Sequence, residues 1–96
     1  MNPYEQIATK IIEEQASLIG QVAWFEAAEV AGLGVGSSDN HSVKIDENFK
    51  VTEVIDNLVG RYEGLFGPAA REACRQVTVS MIADLPEAEV PASLQL

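Results

Sequence analysis

Residues 52–68 read TEVIDNLVGRYEGLFGP, and this stretch decides the fold class. Its apolar side chains recur at steps of three and four residues, which places them on one face of an α-helix. They are Val54, Ile55, Leu58, Val59, Tyr62, Leu65 and Phe66. Thr52 is suited to cap this helix, and Gly67 interrupts it because the residue before a proline is pushed out of the helical conformation. The stretch therefore predicts a helix over 52–66.

Another helix is expected to start at Pro68, because proline fits the first helical turn. Its apolar stripe consists of Ala70, Ala73, Cys74, Val77, Met81 and Leu85. Pro86 ends it, since an interior proline removes a helical hydrogen bond, so the helix spans about 68–85. Residues 86–96 contain two prolines and no apolar periodicity. We therefore expect a flexible C-terminal tail outside a single helical domain of residues 1–85.

Toward the N-terminus, one long helix is predicted over about 3–31. Asn2 can cap it and Pro3 suits its first turn. Its apolar stripe consists of Tyr4, Ile7, Ala8, Ile11, Ile12, Leu18, Ile19, Val22, Phe25 and Val30. Gly32 can take the left-handed conformation that often ends a helix. Glu26 and Glu29 lie within or beside the stripe, so they either pair with an arginine inside the fold or lie where the stripe turns into solvent.

The connection between the first two helices has a different composition. Residues 34–48, GVGSSDNHSVKIDEN, are rich in Gly, Ser, Asp and Asn, which is typical of a loop. Val43, Ile45, Phe49 and Val51 alternate with polar residues on either side of 46–48, a pattern that permits a short β-hairpin. The predicted fold is therefore all-α, with three principal helices and a polar loop or short hairpin between the first and the second.

Charge and composition exclude several classes of partner. Fifteen acidic and six basic residues give a net charge of −9, which repels phosphate backbones and anionic lipids. We therefore expect no direct binding to nucleic acid, and no membrane span because long apolar runs are missing. The single Cys74 cannot form an internal disulfide, and residues 1–5 do not resemble a signal peptide, so a cytoplasmic location is expected.

Catalytic and metal-binding patterns are missing as well. His41 is the only histidine, so the His and Cys spacings of zinc and di-iron sites cannot occur, and no metal or cofactor is expected. The glycines of GLGVG at 32–36 follow a predicted helix, whereas a dinucleotide-binding turn follows a strand. Cys74 lies on an apolar stripe, which favours a core role. The sequence therefore predicts a protein that is not an enzyme.

Small residues indicate a surface for helix contacts. Gly20 and Ala27 lie on a flank of the first helix distinct from its apolar stripe, and Trp24 lies close by, where one chain would have difficulty covering it. Gly60 lies on the back of the next helix, although glycine costs helix stability. We therefore expect a homodimer, with these four residues at its interface.

The resulting function is a non-catalytic interaction module, such as an adaptor, regulator or assembly factor. Glu13 and Glu14 would offer negative charge to another protein with a basic surface. An alternative is a small-molecule sensor that holds an apolar ligand or pigment between helices. Its cavity would be lined by Tyr62, Phe66, Phe25 and Met81.

Overall fold

The computed structural model describes residues 2–36 and 42–95, and this part of the chain is mostly helical with a small two-stranded sheet. The predictions that involve His41 lie outside the described residues. The helices are α1 (Pro3–Ile19), α2 (Val22–Ala28), α3 (Val51–Phe66) and α4 (Pro68–Ile82), and the strands are β1 (Leu33–Val35) and β2 (Val43–Ile45).

Helices α3 and α4 follow the predicted pattern with small differences at their ends. Helix α3 begins one residue before Thr52, and Lys50 occupies the cap position without a side-chain hydrogen bond, so the prediction that Thr52 caps this helix is wrong. Gly67 separates α3 from α4 with φ 89° and ψ 178°. Helix α4 ends at Ile82, short of the expected end at residue 85, and residues 83–85 form turns.

The single helix predicted over 3–31 is wrong, because the chain bends at Gly20. Gly20 has φ 77°, and its N–H donates a hydrogen bond to the carbonyl oxygen of Ala16 at 2.8 Å. A Cβ atom built on Gly20 would meet nothing within 4 Å. The glycine is therefore required by the backbone conformation of the turn, which L-residues rarely adopt, rather than by close packing.

This bend changes which side chains of the segment are buried. Ala23, Trp24 and Ala27 of α2 belong to the core. Phe25, which the periodicity places on the core stripe, is instead 65% exposed, and Val22 is exposed beside it. A change of helix axis resets the angular positions that a continuous 3.6-residue repeat would give. The apolar stripe predicted from Ile7 onward is therefore not continuous across the Gly20 turn: Leu18, Val22 and Phe25 are exposed, whereas Val30, its last predicted member, is buried.

The hairpin forms, but with a different partner strand from the one expected. β1 pairs antiparallel with β2, with Leu33 opposite Ile45 and Val35 opposite Val43. A hairpin around 46–48 is wrong, because Val51 already starts α3. One carboxylate oxygen of the buried Glu5 accepts a hydrogen bond from the Ile45 N–H at 2.9 Å, which fixes the sheet to α1.

The core lies where α1 packs against α3 and α4, with α2 and the sheet at its margin. Its fully buried aliphatic side chains are Ile7, Ile11, Ile12, Val43, Val54, Ile55, Leu58 and Val59. Removing such apolar surface from water is the main favourable term in folding. The arrangement is one contiguous cluster rather than separate cores.

The C-terminal segment differs from the expected flexible tail. Residues 86–95 contain two short 3₁₀ turns, and Leu94 is buried in the core cluster. Asp56 accepts hydrogen bonds from the backbone N–H of Ser93 at 2.9 Å and from its hydroxyl at 2.6 Å. The Tyr4 hydroxyl donates to the carbonyl oxygen of Glu89 at 2.8 Å. Periodicity could not show these contacts, since the segment packs through single residues.

Candidate functional site

The structure places the predicted interface residues of the first helix in two environments. Trp24 is only 8% exposed and Ala27 is fully buried, both within a single chain. The expectation that one chain would have difficulty covering Trp24 is therefore wrong. The physical reason is the bend at Gly20, which turns this side of α2 toward Tyr62 of α3. The Tyr62 hydroxyl donates to the Ala23 carbonyl oxygen at 2.6 Å.

The other predicted interface residues lie at the surface. Gly20 and Gly60 are exposed, and a Cβ atom on either would meet nothing within 4 Å. Neither glycine is therefore needed for a close contact within the chain. Glu13 is exposed and Glu14 is half-buried on α1. These residues belong to different elements, and the structure does not join them into one compact site.

Sequence reasoning missed a set of exposed apolar side chains around the two glycine turns. We call this set the apolar face. Its members are Leu18, Val22, Phe25, Leu65 and Phe66, all of them exposed. The sequence pattern places each of them on a core stripe, because periodicity does not show where a helix extends beyond the helix it packs against. If Gly20 is interpreted as a helix break, it indicates that the stripe of the first helix is interrupted there.

Two contacts show how the apolar face is assembled. Tyr62 approaches Ala23, and the Arg61 guanidinium forms an ion pair with Glu26 at 2.7 Å. Both contacts bring residues 61–62 of α3 against residues 23–26 of α2. Leu65 lies one turn beyond Arg61 on α3, and Val22 and Phe25 lie within about one turn of the contact on α2. The exposed residues of α2 and α3 therefore flank one junction.

The ion pair also decides between the two open readings of Glu26. Glu26 pairs with Arg61, but at the surface, since their side chains remain 24% and 40% exposed. An ion pair this exposed contributes little to stability. Glu29 is exposed at the end of α2. Glu26 thus lies at the solvent edge and also binds an arginine.

A buried polar contact joins α1 to α4. Gln15 is almost fully buried, and its side-chain amide donates to the Ala70 carbonyl oxygen at 3.1 Å and to the Cys74 sulfur at 3.5 Å. Burial raises the pKa of the Cys74 thiol to about 11, although the hydrogen bond from Gln15 opposes this rise. Burial also raises the pKa of Tyr62. A protonated thiol held this way is a poor nucleophile, as the predicted core role implies.

The residues named for a sensor cavity lie in unlike environments. Tyr62 is fully buried, whereas Phe25 and Phe66 are exposed and Met81 is half-buried on α4. Side chains that line an enclosed apolar cavity are covered by the protein. Phe25 and Phe66 are instead exposed at the protein surface.

Within residues 2–36 and 42–95, no three His, Cys, Asp or Glu side chains gather closely enough to hold a metal ion. The helices of the same residues include none that combines the length and the apolar character of a membrane span.

Comparisons with known proteins add no relative. No family model matches the chain, no curated protein is similar to it in sequence, and no solved structure matches it. The described residues form a small, mostly helical fold that carries the apolar face on its surface.

Proposed function

We propose that the protein is a non-catalytic interaction module, such as an adaptor, regulator or assembly factor, that binds another protein through the apolar face. One observation carries this proposal. Among the described residues, seven large apolar side chains are exposed, and the five of the apolar face lie around the turns at Gly20 and Gly67. The other two, Phe49 and Val79, lie elsewhere in the chain.

Clustering matters more than exposure itself. Single apolar side chains on a surface are normal, whereas a contiguous patch commonly marks an interaction site. Phe25 and Phe66 add aromatic side chains, which are enriched at protein interfaces. Phe66 ends α3 just before Gly67, and α2, which carries Phe25, is held to the core by the buried Ala23 and Ala27, so binding would cost little ordering of the backbone.

The residues singled out from the sequence have other roles in this proposal. Trp24 and Ala27 hold α2 against the core, and Gly20 sets the direction of α2. Glu14 lies one turn before Leu18 and would face a basic partner, as the sequence suggested. The homodimer remains an untested prediction. Its main argument was that one chain would leave Trp24 uncovered, and Trp24 is covered within one chain. A cytoplasmic location is part of the proposal, since the free thiol of Cys74 fits a reducing compartment.

Site-specific photo-crosslinking in the cells that make the protein tests this function. A benzophenone amino acid at position 25 probes the apolar face, and the same group at position 79 is the matched control. Val79 is 55% exposed and lies about 16 Å along α4 from Pro68. We expect one or a few discrete protein adducts from position 25 and none from position 79. Equal adduct patterns from both positions, or none from position 25, would contradict the proposal.

A further inference from the structure

We infer that the partner of the apolar face is an amphipathic helix whose apolar side chains are flanked by Lys or Arg. This inference rests on the proposed function and names the chemistry of its partner. It is carried by the charges at the rim of the apolar face.

The rim is acidic on both sides of the Gly20 turn. Glu14 lies one helical turn before Leu18 on α1. Glu29 lies one turn after Phe25 and shares the side of α2 that carries Val22 and Phe25. Neither glutamate has an ion-pair partner within 4.0 Å among the residues that the structure describes. The carboxylates are therefore free to bind cations of a partner.

Among the described residues, no cation forms an ion pair with the two glutamates of this rim. Arg61 lies beside the apolar face on α3, and Glu26 already binds it at 2.7 Å. Arg71 donates to the carbonyl oxygen of Ser93 on the other side of α4, and Arg75 pairs with Glu72. Lys10 lies one turn before Glu14 on the same side of α1, but among the described residues it forms no ion pair with Glu14 within 4.0 Å. Lys50 precedes α3, whose opposite end carries Leu65.

These charges disfavour a second copy as the occupant. Each chain carries a net charge of −9, and a twofold contact through the apolar face would bring two acidic rims together. At contact distance, physiological salt screens such repulsion only in part, since the Debye length is about 8 Å. Lys or Arg at the edges of a partner helix would instead convert the rim into an attractive contact.

A helix suits the shape of the surface. The exposed side chains of α2 and α3 flank the junction of two helices, and an amphipathic helix commonly docks its apolar side on such a helix surface. Phe25 and Phe66 would be the anchors, because aromatic side chains dominate the binding energy of many interfaces.

A pair of synthetic peptides tests the inference. Both are 18-residue helices with the same leucine pattern, and the polar positions are Lys in one and Glu in the other. Binding to the full chain is measured by calorimetry at 50 and 300 mM NaCl. We expect the Leu/Lys peptide to bind at least tenfold more tightly than the Leu/Glu peptide, and to lose about tenfold in affinity at the higher salt concentration.

Three variants separate the apolar face from general charge attraction. Phe25→Ser should weaken Leu/Lys binding at least tenfold, whereas Val79→Ser, which removes an exposed apolar side chain elsewhere, should change it less than twofold. Glu29→Lys should weaken it about fivefold and reduce its salt dependence. Circular dichroism and urea unfolding confirm that each variant keeps the fold. Equal losses from Phe25→Ser and Val79→Ser would overturn the inference.

The failure of this inference can be distinguished from failure of the proposed function. A wild-type dimer in native mass spectrometry that Phe25→Ser separates would overturn the basic helix while supporting an interaction surface. Equal affinity for the two peptides, or no binding of the Leu/Lys peptide, would also overturn the basic helix. In both cases the crosslinking experiment at position 25 still tests the proposed function, because it does not depend on the chemistry of the partner.

Discussion

The turns at Gly20 and Gly67 are built alike and lead to different structures. Each glycine has a positive φ, 77° and 89°, with an extended ψ. Each donates its N–H to the carbonyl oxygen four residues earlier at 2.8 Å, that of Ala16 in one turn and that of Glu63 in the other. Pro68 follows Gly67 and starts a 15-residue helix, whereas the helix after Gly20 has only 7 residues.

The comparison teaches that the chain after each turn decides what is buried. Helix α4 packs along α1 and α3 and buries Ala70 and Cys74 of its apolar stripe. Helix α2 is too short to be stable by itself; it packs against α1 and β1, and Tyr62 and Arg61 of α3 add a hydrogen bond and an ion pair. Near both turns, exposed apolar residues such as Leu18 and Phe66 extend beyond the packing partner, although Ile19 still packs against the core. The apolar face combines these residues with Val22 and Phe25, which follow the Gly20 turn.

The largest expected effect is at the turn with the proline. Gly67→Ala should lower the free energy of unfolding by about 2 to 3 kcal/mol, because alanine is strained at this φ and ψ. Residue 67 cannot relieve this strain by becoming helical, because Pro68 disfavours a helical conformation at the preceding residue. Urea unfolding followed by circular dichroism measures the loss.

The control variant should change the free energy of unfolding in the opposite direction. Gly64 lies inside α3, and a Cβ atom there would meet nothing within 4 Å. Gly64→Ala should therefore raise stability by up to about 1 kcal/mol through helix propensity alone. If Gly67→Ala were as stable as the wild type, glycine would not be what defines this turn.

The second prediction concerns the turn without a proline. Gly20→Ala should cost about 1 to 2 kcal/mol, less than the change at residue 67, because alanine here can relieve the strain by joining α1 and α2. A continuous helix would draw Trp24 away from the core. We therefore expect more helical signal in circular dichroism and a red-shifted emission from Trp24, the single tryptophan.

Gly60→Ala provides the comparison for that variant, since a Cβ atom there also meets open space. It should leave the Trp24 emission unchanged. A larger loss of stability at residue 20 than at residue 67 would reverse the proposed difference between the two turns.

The same two turns explain how far the sequence could predict the structure. Gly67-Pro68 is an unambiguous pair of signals, so α3 and α4 were predicted nearly to their ends. Gly20 lies inside an apolar repeat that continues in register, so local spacing favoured one helix. Its bend depends on contacts with α3, such as that of Tyr62 with Ala23, which are 39 residues apart. The exposed ends of the stripes follow from tertiary packing and could not be predicted from periodicity.

The third prediction uses Cys74, whose sulfur accepts from Gln15 of α1 and so links the helices that meet both turns. Burial raises the pKa of this thiol to about 11 in the folded protein. The unfolded chain loses the same proton near pH 8.5, so ionisation favours unfolding as the pH rises from there toward 11. Stability should fall by about 1 kcal/mol between pH 9 and pH 10, measured by urea unfolding at each pH.

Cys74→Ala tests the assignment of this slope. The variant loses some stability at every pH because a buried sulfur is removed, but its stability should vary much less between pH 9 and pH 10. An unchanged slope would assign the pH dependence to another group. The range stays below pH 10 because burial also raises the pKa of the Tyr62 hydroxyl, which ionises in the unfolded chain near pH 10.

The smallest effect is expected from the ion pair that holds α2 to α3. In a double-mutant cycle, Arg61→Ala and Glu26→Ala should show a coupling energy of about 0.5 kcal/mol, because both side chains remain partly exposed and solvent screens their attraction. The coupling should fall further at 0.5 M NaCl. Tyr62→Phe, which removes the hydrogen bond from α3 to the Ala23 carbonyl oxygen of α2, should cost more, about 1 kcal/mol, since this hydrogen bond is buried. If the ion pair contributed more to stability than the Tyr62 hydrogen bond, the contact between α2 and α3 would be mainly electrostatic. The position of α2 would then depend on the salt concentration. The turn at Gly20 would then differ from that at Gly67 in what fixes the following helix as well as in its length.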